Sequence, residues 1–252
     1  MPRILILGGT TEARLLGERL ASRGGLDVTL SLAGRTASPV PHAVPVRIGG
    51  FGGVAGLADY LMKQPVAALI DATHPYASII SQNAAAAARQ TGVPFMTLRR
   101  PPWTAVDGDR WILVDGTSEA VRALGETSRR VFVALGRNEL APFVDAPQHF
   151  YLIRSVDPVE LPLPQVSYIT ARGPFSEADD LALMSAHQID IVIAKNSGGA
   201  AAYGKIAAAR ALGIEVVLLR RPEACAAPAV ETIDDAIVWL DHTLTSAAAR
   251  GV

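Results

Sequence analysis

The first candidate functional residues lie in ILILGGTTEARLLGERL (4–20), where an apolar run is followed by two glycines and two threonines. Dinucleotide-binding proteins hold a pyrophosphate on such a strand–turn–helix segment, usually with the spacing G-x-G-x-x-G/A. With Gly8 as the first glycine, Thr10 takes the second position and Ala13 the third. The tight turn and the close packing of the helix are therefore kept, whereas the glycine that admits the phosphate is replaced.

This turn still predicts phosphate binding, with a plain strand–helix connection as the alternative. The backbone amides from Gly9 to Glu12 would lie at a helix N-terminus, which is a favourable place for an anion. The hydroxyls of Thr10 and Thr11 could add hydrogen bonds. Glu12 is an unexpected negative charge at this position, unless it caps the helix or holds a ribose hydroxyl.

The end of the second predicted strand indicates which nucleotide is bound. NAD-binding proteins commonly place an acid about 20 residues after the glycines, on the ribose 2′-hydroxyl, but no acid occurs between Asp27 and Asp59. The strand instead runs into SLAGR (31–35), where Arg35 suits the 2′-phosphate of NADP; the alternative is a solvated loop arginine. We expect NADPH, bound by Gly8, Gly9, Thr10, Thr11, Glu12, Ser31, Ala33, Gly34 and Arg35.

The fourth predicted strand ends in DATHPYA (71–77), which puts polar groups where the nicotinamide half of a cofactor would lie. We expect Thr73 and His74 to contact the cofactor, and Tyr76 to face the substrate. Asp71 fits a buried structural acceptor better than a catalytic acid. The alternative for His74 is that it caps the next turn.

The second half of the chain repeats this pattern of polar residues after strands. KNSGG (195–199) combines an ammonium, an amide, a hydroxyl and backbone donors, which together predict an anion-binding loop at the start of a helix. Several cations placed at strand ends would suit a ligand with many carboxylates, although each alone fits an ordinary surface charge. The expected substrate-binding residues are Tyr76, Arg137, Arg154, Arg172, Lys195, Asn196, Ser197, Gly198 and Lys205.

Alternating strand and helix patterns must position these residues. Near-continuous apolar runs at 3–8, 27–33, 44–49, 67–73 and 94–100, with helical patterns at 11–23, 53–63 and 77–91, predict a doubly wound parallel sheet. The aperiodic RRPPWTAVDGD (99–109) indicates a junction. The pattern then restarts, with strands at 110–116, 130–136, 149–155, 166–172, 190–196 and 215–221, and helices at 117–127, 176–187, 199–212 and 233–246.

The predicted fold is therefore α/β, with two Rossmann-like doubly wound lobes and the active site in the cleft between them. We assign residues 1–103 to an NADP-binding domain and 104–252 to a second α/β domain that contributes substrate binding.

Composition excludes several other classes. A net charge of −1 argues against a nucleic-acid partner, although residues 1–100 carry 10 basic against 5 acidic side chains. No apolar run approaches the roughly 20 residues of a membrane span, the N-terminus lacks the layout of a signal peptide, and the single Cys225 allows no internal disulfide. The histidines and the cysteine have no metal-binding spacing, and no P-loop or short-chain-dehydrogenase dyad occurs. We expect a cytoplasmic protein that binds no metal.

Taken together, GGTTEA (8–13), AGR (33–35), DATHPYA, RPPW (100–103), GR (136–137), ARGPF (171–175) and KNSGG resemble the precorrin-6A reductase family of cobalamin biosynthesis. The resemblance spans nearly the whole chain and implies NADPH-dependent hydride transfer to a conjugated double bond of a tetrapyrrole. It makes His74, Tyr76 and Lys195 candidate catalytic residues, as proton donors or electrostatic aids, with solvent as the alternative proton source. It also suggests handover contacts with neighbouring pathway enzymes.

Three alternative functions remain open at this point. The nearest is the cobalt-containing equivalent of the same step in the anaerobic pathway. A non-catalytic NADP-sensing protein would use the first lobe but has no need of the KNSGG loop. A nucleotide-sugar transferase of two α/β lobes would bind a nucleotide sugar and transfer no hydride.

Overall fold

The computed structural model describes residues 1–34 and 41–249, with side chains up to residue 246. The chain divides into two compact units. Unit 1 comprises residues 1–100 together with 222–252, and unit 2 comprises residues 101–221. Both units are α/β, so the predicted fold class is confirmed.

Unit 1 is built on a parallel sheet of six strands within the described residues, in the order β3-β2-β1-β4-β5-β12. This is the strand order 3-2-1-4-5-6 of dinucleotide-binding folds, with β12 in the sixth position. The strands are β1 (Arg3–Leu7), β2 (Asp27–Leu32), β3 (Val46–Ile48), β4 (Val66–Asp71), β5 (Phe95–Leu98) and β12 (Ala229–Val230); the helices are α1 (Thr11–Arg23), α2 (Gly53–Lys63), α3 (Ser78–Thr91) and α7 (Ile233–Ala249).

Helices cover both faces of this sheet, which explains why its central strands carry apolar side chains on both faces. Ile4 and Ile6 of β1 pack with the side chains of α1 and α7. Leu5 and Leu7 point to the opposite face and pack with α2 and the alanine-rich α3. The small alanines of α3 let that helix lie close to the sheet.

Unit 2 repeats the architecture with the strand order β9-β8-β7-β10-β11-β6 in its described residues. Ser176 caps α5 by accepting a hydrogen bond from Asp179 N, as its spacing predicts. The strands are β6 (Trp111–Val114), β7 (Arg130–Ala134), β8 (Phe150–Ser155), β9 (Val166–Thr170), β10 (Ile191–Lys195) and β11 (Glu215–Leu219); the helices are α4 (Thr117–Leu124), α5 (Glu177–Ala186) and α6 (Gly204–Ala211), with short 3-10 turns at Arg137–Glu139 and Ala141–Asp145.

The predicted boundaries of the two domains are wrong at both ends. The first segment of unit 1 ends at Arg100 rather than at residue 103, and residues 222–252 return to unit 1 instead of completing unit 2. The physical reason is that β12 pairs with β5 and that α7 packs on α1 and β4. Conversely, β6 follows β5 along the chain but pairs with β11 in the other sheet.

The start of α6 also differs from the sequence prediction. A helix over 199–212 is predicted, but α6 begins at Gly204. Gly198 and Gly199 both have positive φ, 69° and 71°, a conformation that a right-handed helix does not allow. Residues 196–203 therefore form a loop and turns. The prediction that a helix begins near Ser197 is wrong, because this described segment contains no helix.

If α7 is part of the core of unit 1, shortening a buried side chain on it destabilises that unit. Leu240 is 0% exposed and packs with β1 and α1, whereas Val238 is 55% exposed. We expect Leu240→Ala to lower the free energy of unfolding by about 2–5 kcal/mol, and Val238→Ala to change it by less than about 0.5 kcal/mol. Hydrogen exchange should show lost protection in β1 and β4 but not in β10. Loss of protection confined to unit 2 would contradict this assignment of α7.

Candidate functional site

The residues Gly8 to Glu12, called here the nucleotide turn, connect β1 to α1 with very little space around the first glycine. A Cβ on Gly8 would lie 2.5 Å from Leu30 Cδ1 and 3.3 Å from Ala13 Cβ. Gly9 is exposed, with a φ of 114° that favours glycine. The close approach of helix and strands predicted from Gly8 and Ala13 is therefore present.

Thr10 is the N-cap of α1, and its hydroxyl is already used twice. Its Oγ1 accepts a hydrogen bond from Ala13 N at 3.1 Å and donates one to Ala72 O at 2.7 Å. The hydroxyl therefore fixes the turn to the end of β4. Backbone amides, rather than this hydroxyl, are the donors that the turn offers to a phosphate.

The unexpected charge of Glu12 is balanced by a cation that the sequence analysis did not select. Arg100 Nη1 lies 2.6 Å from Glu12 Oε2, and the two side chains are only 16% and 24% exposed. This ion pair removes the negative charge that would oppose a phosphate at the turn. The residues are 88 positions apart, so only the RPPW motif hinted that Arg100 matters.

The exit of β2 lies beside the nucleotide turn, because Gly8 N donates to Ser31 O at 2.9 Å. Ser31 is buried, and Gly34 has a φ of 72° and sits so close to β3 that a Cβ would lie 2.9 Å from Ile48 Cγ2. Ala33 and Gly34 follow directly after the strand. Arg35 lies outside the described residues, so its role in 2′-phosphate binding stays a prediction.

DATHPYA folds into a compact turn at the carboxyl end of β4. The buried Asp71 carboxylate accepts hydrogen bonds from Thr73 N at 3.0 Å and Thr73 Oγ1 at 2.7 Å, which is the structural role expected of it. His74 Nδ1 accepts a hydrogen bond from Tyr76 N at 3.3 Å, and the two rings lie 5.6 Å apart. His74 and Tyr76 are half-buried and adjacent, at the edge of the sheet that also carries the nucleotide turn.

In unit 2, residues Lys195 to Gly199 form the segment called here the lysine loop. Lys195 Nζ lies 2.5 Å from Glu139 Oε1 in a half-buried ion pair. The amide of Asn196 accepts from Trp103 N at 2.7 Å and donates to Trp103 O at 2.9 Å. Asn196 therefore anchors the loop, while Lys195 remains at the carboxyl end of β10 with its ammonium oriented by Glu139.

Arg221 holds the backbone of the lysine loop from the other side. Its guanidinium donates to Asn196 O at 2.8 Å, to Ser197 O at 2.9 Å and to Pro101 O at 3.1 Å. A Cβ on Gly198 would lie 2.1 Å from Pro101 O and 2.3 Å from the Arg221 guanidinium. Glycine at 198 is thus required by this close approach.

Two predicted substrate-binding cations lie in the interior of unit 2. Arg154 forms a buried ion pair with Asp180 and stacks 3.6 Å from the centre of the Phe175 ring. Lys205 is 5% exposed, donates to Ala202 O, and lies 5.1 Å from the Trp103 ring. Burial, together with the Arg154 charge, lowers the pKa of Lys205 to about 8, while Asp180 opposes that shift. Their protein partners favour structural roles for both.

The remaining predicted cations are exposed at the carboxyl ends of strands. Arg137 follows β7 and donates to Pro158 O at 2.8 Å. Arg172 follows β9. Together with Lys195, these two arginines lie after three strands of one parallel sheet, which puts all three at the same edge.

The described residues contain neither a cluster of metal ligands nor a membrane-spanning helix. Among residues 1–34 and 41–249, no three histidine, cysteine or acidic side chains cluster as metal ligands. No helix in the same ranges is long and apolar enough to cross a membrane.

One parallel sheet with the dinucleotide-binding strand order and a glycine turn, together with a second six-stranded parallel sheet, defines a two-unit Rossmann-type α/β protein. The family model described as Precorrin-6x reductase CbiJ/CobK matches residues 3–241. The chain belongs to this family and is an oxidoreductase, and the resemblance found in the motifs is confirmed.

Relatives of known name cover the chain almost completely. It is 56% identical over 248 residues to a Precorrin-6A reductase of a Sinorhizobium species, covering 98% of this chain and 95% of the relative. It is 49% identical to a Precorrin-6A reductase of Rhodobacter capsulatus, over 100% of both chains. A solved structure titled CobK precorrin-6A reductase superposes with a TM-score of 0.92 at 48% identity, covering 96% of this chain and 97% of that one.

The buried Lys205 predicts a pH-dependent stability. Its pKa of about 8 in the folded protein lies below the ordinary 10.5, so the unfolded chain binds more protons between these values. Burial of the charged lysine destabilises the folded protein to its full extent below about pH 8, and this destabilisation decreases as the pH rises towards 10.5. We expect the unfolding free energy of wild type to rise relative to Lys205→Met by up to about 3 kcal/mol across this window.

Urea unfolding at fixed temperature and several pH values measures this difference. Lys63→Met is the matched control, because Lys63 is an exposed lysine paired with Asp59 on the surface and should show no such dependence. Parallel pH curves for wild type and Lys205→Met would show that Lys205 is not buried as a charge.

Proposed function

We propose that this protein reduces precorrin-6A to a dihydro-precorrin in cobalamin biosynthesis, with NADPH as the hydride donor. The proposal rests on one observation: the chain matches several proteins named precorrin-6A reductase over nearly its whole length, at about 50% sequence identity. We further propose a cytoplasmic location and, as the pathway context suggests, handover contacts with neighbouring enzymes.

The cobalt-free substrate is favoured over its cobalt-containing equivalent by the degree of similarity. The relative named Cobalt-precorrin-6A reductase from Priestia megaterium is 29% identical over 234 residues, covering 87% of this chain and 91% of the relative. That identity is about half the identity to the Sinorhizobium relative. The cobalt-free reaction is therefore the better assignment.

Unit 1 fits a dinucleotide cofactor. Its strand order is that of dinucleotide-binding folds, and no atom lies within 4 Å of a Cβ built on Gly9, so there is room for a pyrophosphate on the amides of Gly9 to Glu12. Bound there, NADPH would supply the hydride. Thr73 and His74 lie at the same sheet edge and would contact its nicotinamide half, while Ser31, Ala33, Gly34 and Arg35 would line the adenosine end.

Unit 2 supplies charges for a substrate with several carboxylates. Lys195, Arg137 and Arg172 are the cations proposed to bind acetate and propionate groups, since all three follow strands at one edge of the sheet. Asn196, Ser197 and Gly198 contribute by giving the lysine loop its shape. Arg154 and Lys205 support this region from the interior rather than by contact with substrate.

Reduction adds a proton as well as a hydride, and Lys195 is the proposed source or electrostatic aid. Glu139 fixes its ammonium at 2.5 Å. The second carboxylate oxygen of Glu139 is buried and has no hydrogen-bond partner in the described part of the chain. A half-buried, oriented ammonium can stabilise negative charge that develops on the tetrapyrrole. His74 and Tyr76, which lie beside each other in unit 1, are the other proposed donors.

Turnover of the proposed substrate tests the function directly. With precorrin-6A present, purified protein should oxidise one NADPH for each tetrapyrrole whose absorption spectrum changes, and NADH should react far more slowly. Binding of NADPH without oxidation would instead identify a sensor. Binding of a nucleotide sugar without any hydride transfer would identify a transferase.

Replacing Lys195 should separate substrate positioning from chemistry. The loss of a charge-assisted contact in Lys195→Met should raise the KM for the tetrapyrrole about 10- to 100-fold, with NADPH affinity in unit 1 changed less than about threefold. If Lys195 also supplies the proton or stabilises charge, kcat and kcat/KM should fall together.

Steady-state kinetics with NADPH titrations distinguish these cases, and Lys63→Met serves as the control for loss of a lysine charge. Weakened NADPH binding with an unchanged KM for the tetrapyrrole would contradict the assignment of substrate binding to unit 2.

A further inference from the structure

Arg47 on β3 is held rigidly beside the exit of β2. Its Nη1 donates to Gly49 O at 2.5 Å and to Ser31 Oγ at 3.3 Å, and its Nη2 donates to Gly50 O at 2.7 Å. The guanidinium also stacks 3.8 Å from the centre of the Phe51 ring. These contacts fix a planar cation in one orientation.

The charge of Arg47 has no acidic counterpart nearby. Within residues 1–34 and 41–246, no carboxylate oxygen lies within 4.0 Å of its guanidinium, which contacts only neutral acceptors. Several other arginines of unit 1 are paired with a carboxylate, for example Arg3 with Asp27 and Arg100 with Glu12. A half-buried, immobilised and uncompensated cation is an energetically favourable partner for an anionic ligand.

The position of Arg47 indicates which part of a ligand would meet it. Ser31 is paired in register with Arg47 on one side and with Leu7 on the other, and its carbonyl accepts from Gly8 N. In dinucleotide-binding folds the end of β2 meets the adenosine ribose. Arg47 therefore lies at the strand end where the adenosine ribose of a bound dinucleotide would be held.

We propose that Arg47 is a specificity-determining residue that binds a phosphate monoester on the 2′ position of the adenosine ribose. This inference rests on the proposed function, because it assumes that unit 1 holds NADPH. A planar guanidinium donates well to phosphate oxygens, whereas the 2′-hydroxyl of NADH carries no charge for Arg47 to balance. Arg47 would act in addition to Arg35, and the proposal for Arg47 rests on observations independent of the prediction for Arg35.

Binding measurements on the intact protein test the proposal without the tetrapyrrole. Calorimetric titration should show that Arg47→Gln weakens NADPH about 10- to 100-fold and NADH less than threefold. The same contrast should hold between adenosine 2′,5′-bisphosphate and adenosine 5′-monophosphate, which differ only in the 2′-phosphate. Arg47→Lys, which keeps the charge, should retain most of the preference, and raising the salt concentration should narrow the gap between wild type and Arg47→Gln.

Arg130→Gln is the matched control, because Arg130 in unit 2 stacks 4.1 Å from the Phe150 ring and donates to His187 O. It should leave both affinities unchanged. Equal weakening of both nucleotides in Arg47→Gln, or an unchanged preference in a folded variant, would overturn the proposal. If Arg47→Gln does not fold, the same titrations on Arg47→Met decide, and an unchanged preference for the 2′-phosphate in that variant would overturn the proposal. Wild type that binds neither nucleotide would instead contradict the proposed function.

Discussion

Thr97 N donates to Pro228 O at 2.9 Å and Arg99 N donates to Val230 O at 2.8 Å, and through these two bonds the C-terminal segment completes the first sheet. The core of unit 1 depends on this pairing, because α7 follows β12 and covers one face of β1 and β4. All of unit 2 must therefore be inserted between β5 and β12. The chain crosses between units twice, at 100/101 and at 221/222.

Arginines on either side of these crossings hold the connecting segments in place within each unit. In unit 1, Arg99 Nη2 donates to Pro222 O at 3.3 Å, so the outgoing and returning segments are joined. In unit 2, Arg221 joins Pro101 to the carbonyls of the lysine loop. These hydrogen bonds restrain the conformation of the loops that carry the candidate functional residues, and no further helix or strand is needed for this.

The cations of the two units differ in burial and in how their charge is balanced. Arg154 and Arg100 are each paired with a carboxylate, whereas burial and the neighbouring Arg154 charge lower the pKa of Lys205. Arg47 has only neutral acceptors among the described residues, and Lys195 shares a half-buried pair with Glu139. The proposed dinucleotide and polycarboxylate ligands both need positive charge, and the two units offer different residues for it.

Every strand except β12, most of the helices, the nucleotide turn and the family could be predicted from the sequence, because these depend on neighbouring residues: apolar runs, glycine positions and short motifs. The tertiary structure was needed to show that Glu12 is balanced by Arg100, that Arg154 and Lys205 are interior, and that residues 222–252 belong to unit 1. Each of these rests on contacts between residues far apart in the chain. A two-residue strand such as β12 has too few residues to show a periodic pattern, so its pairing with β5 follows from the packing of α7 and not from local preference.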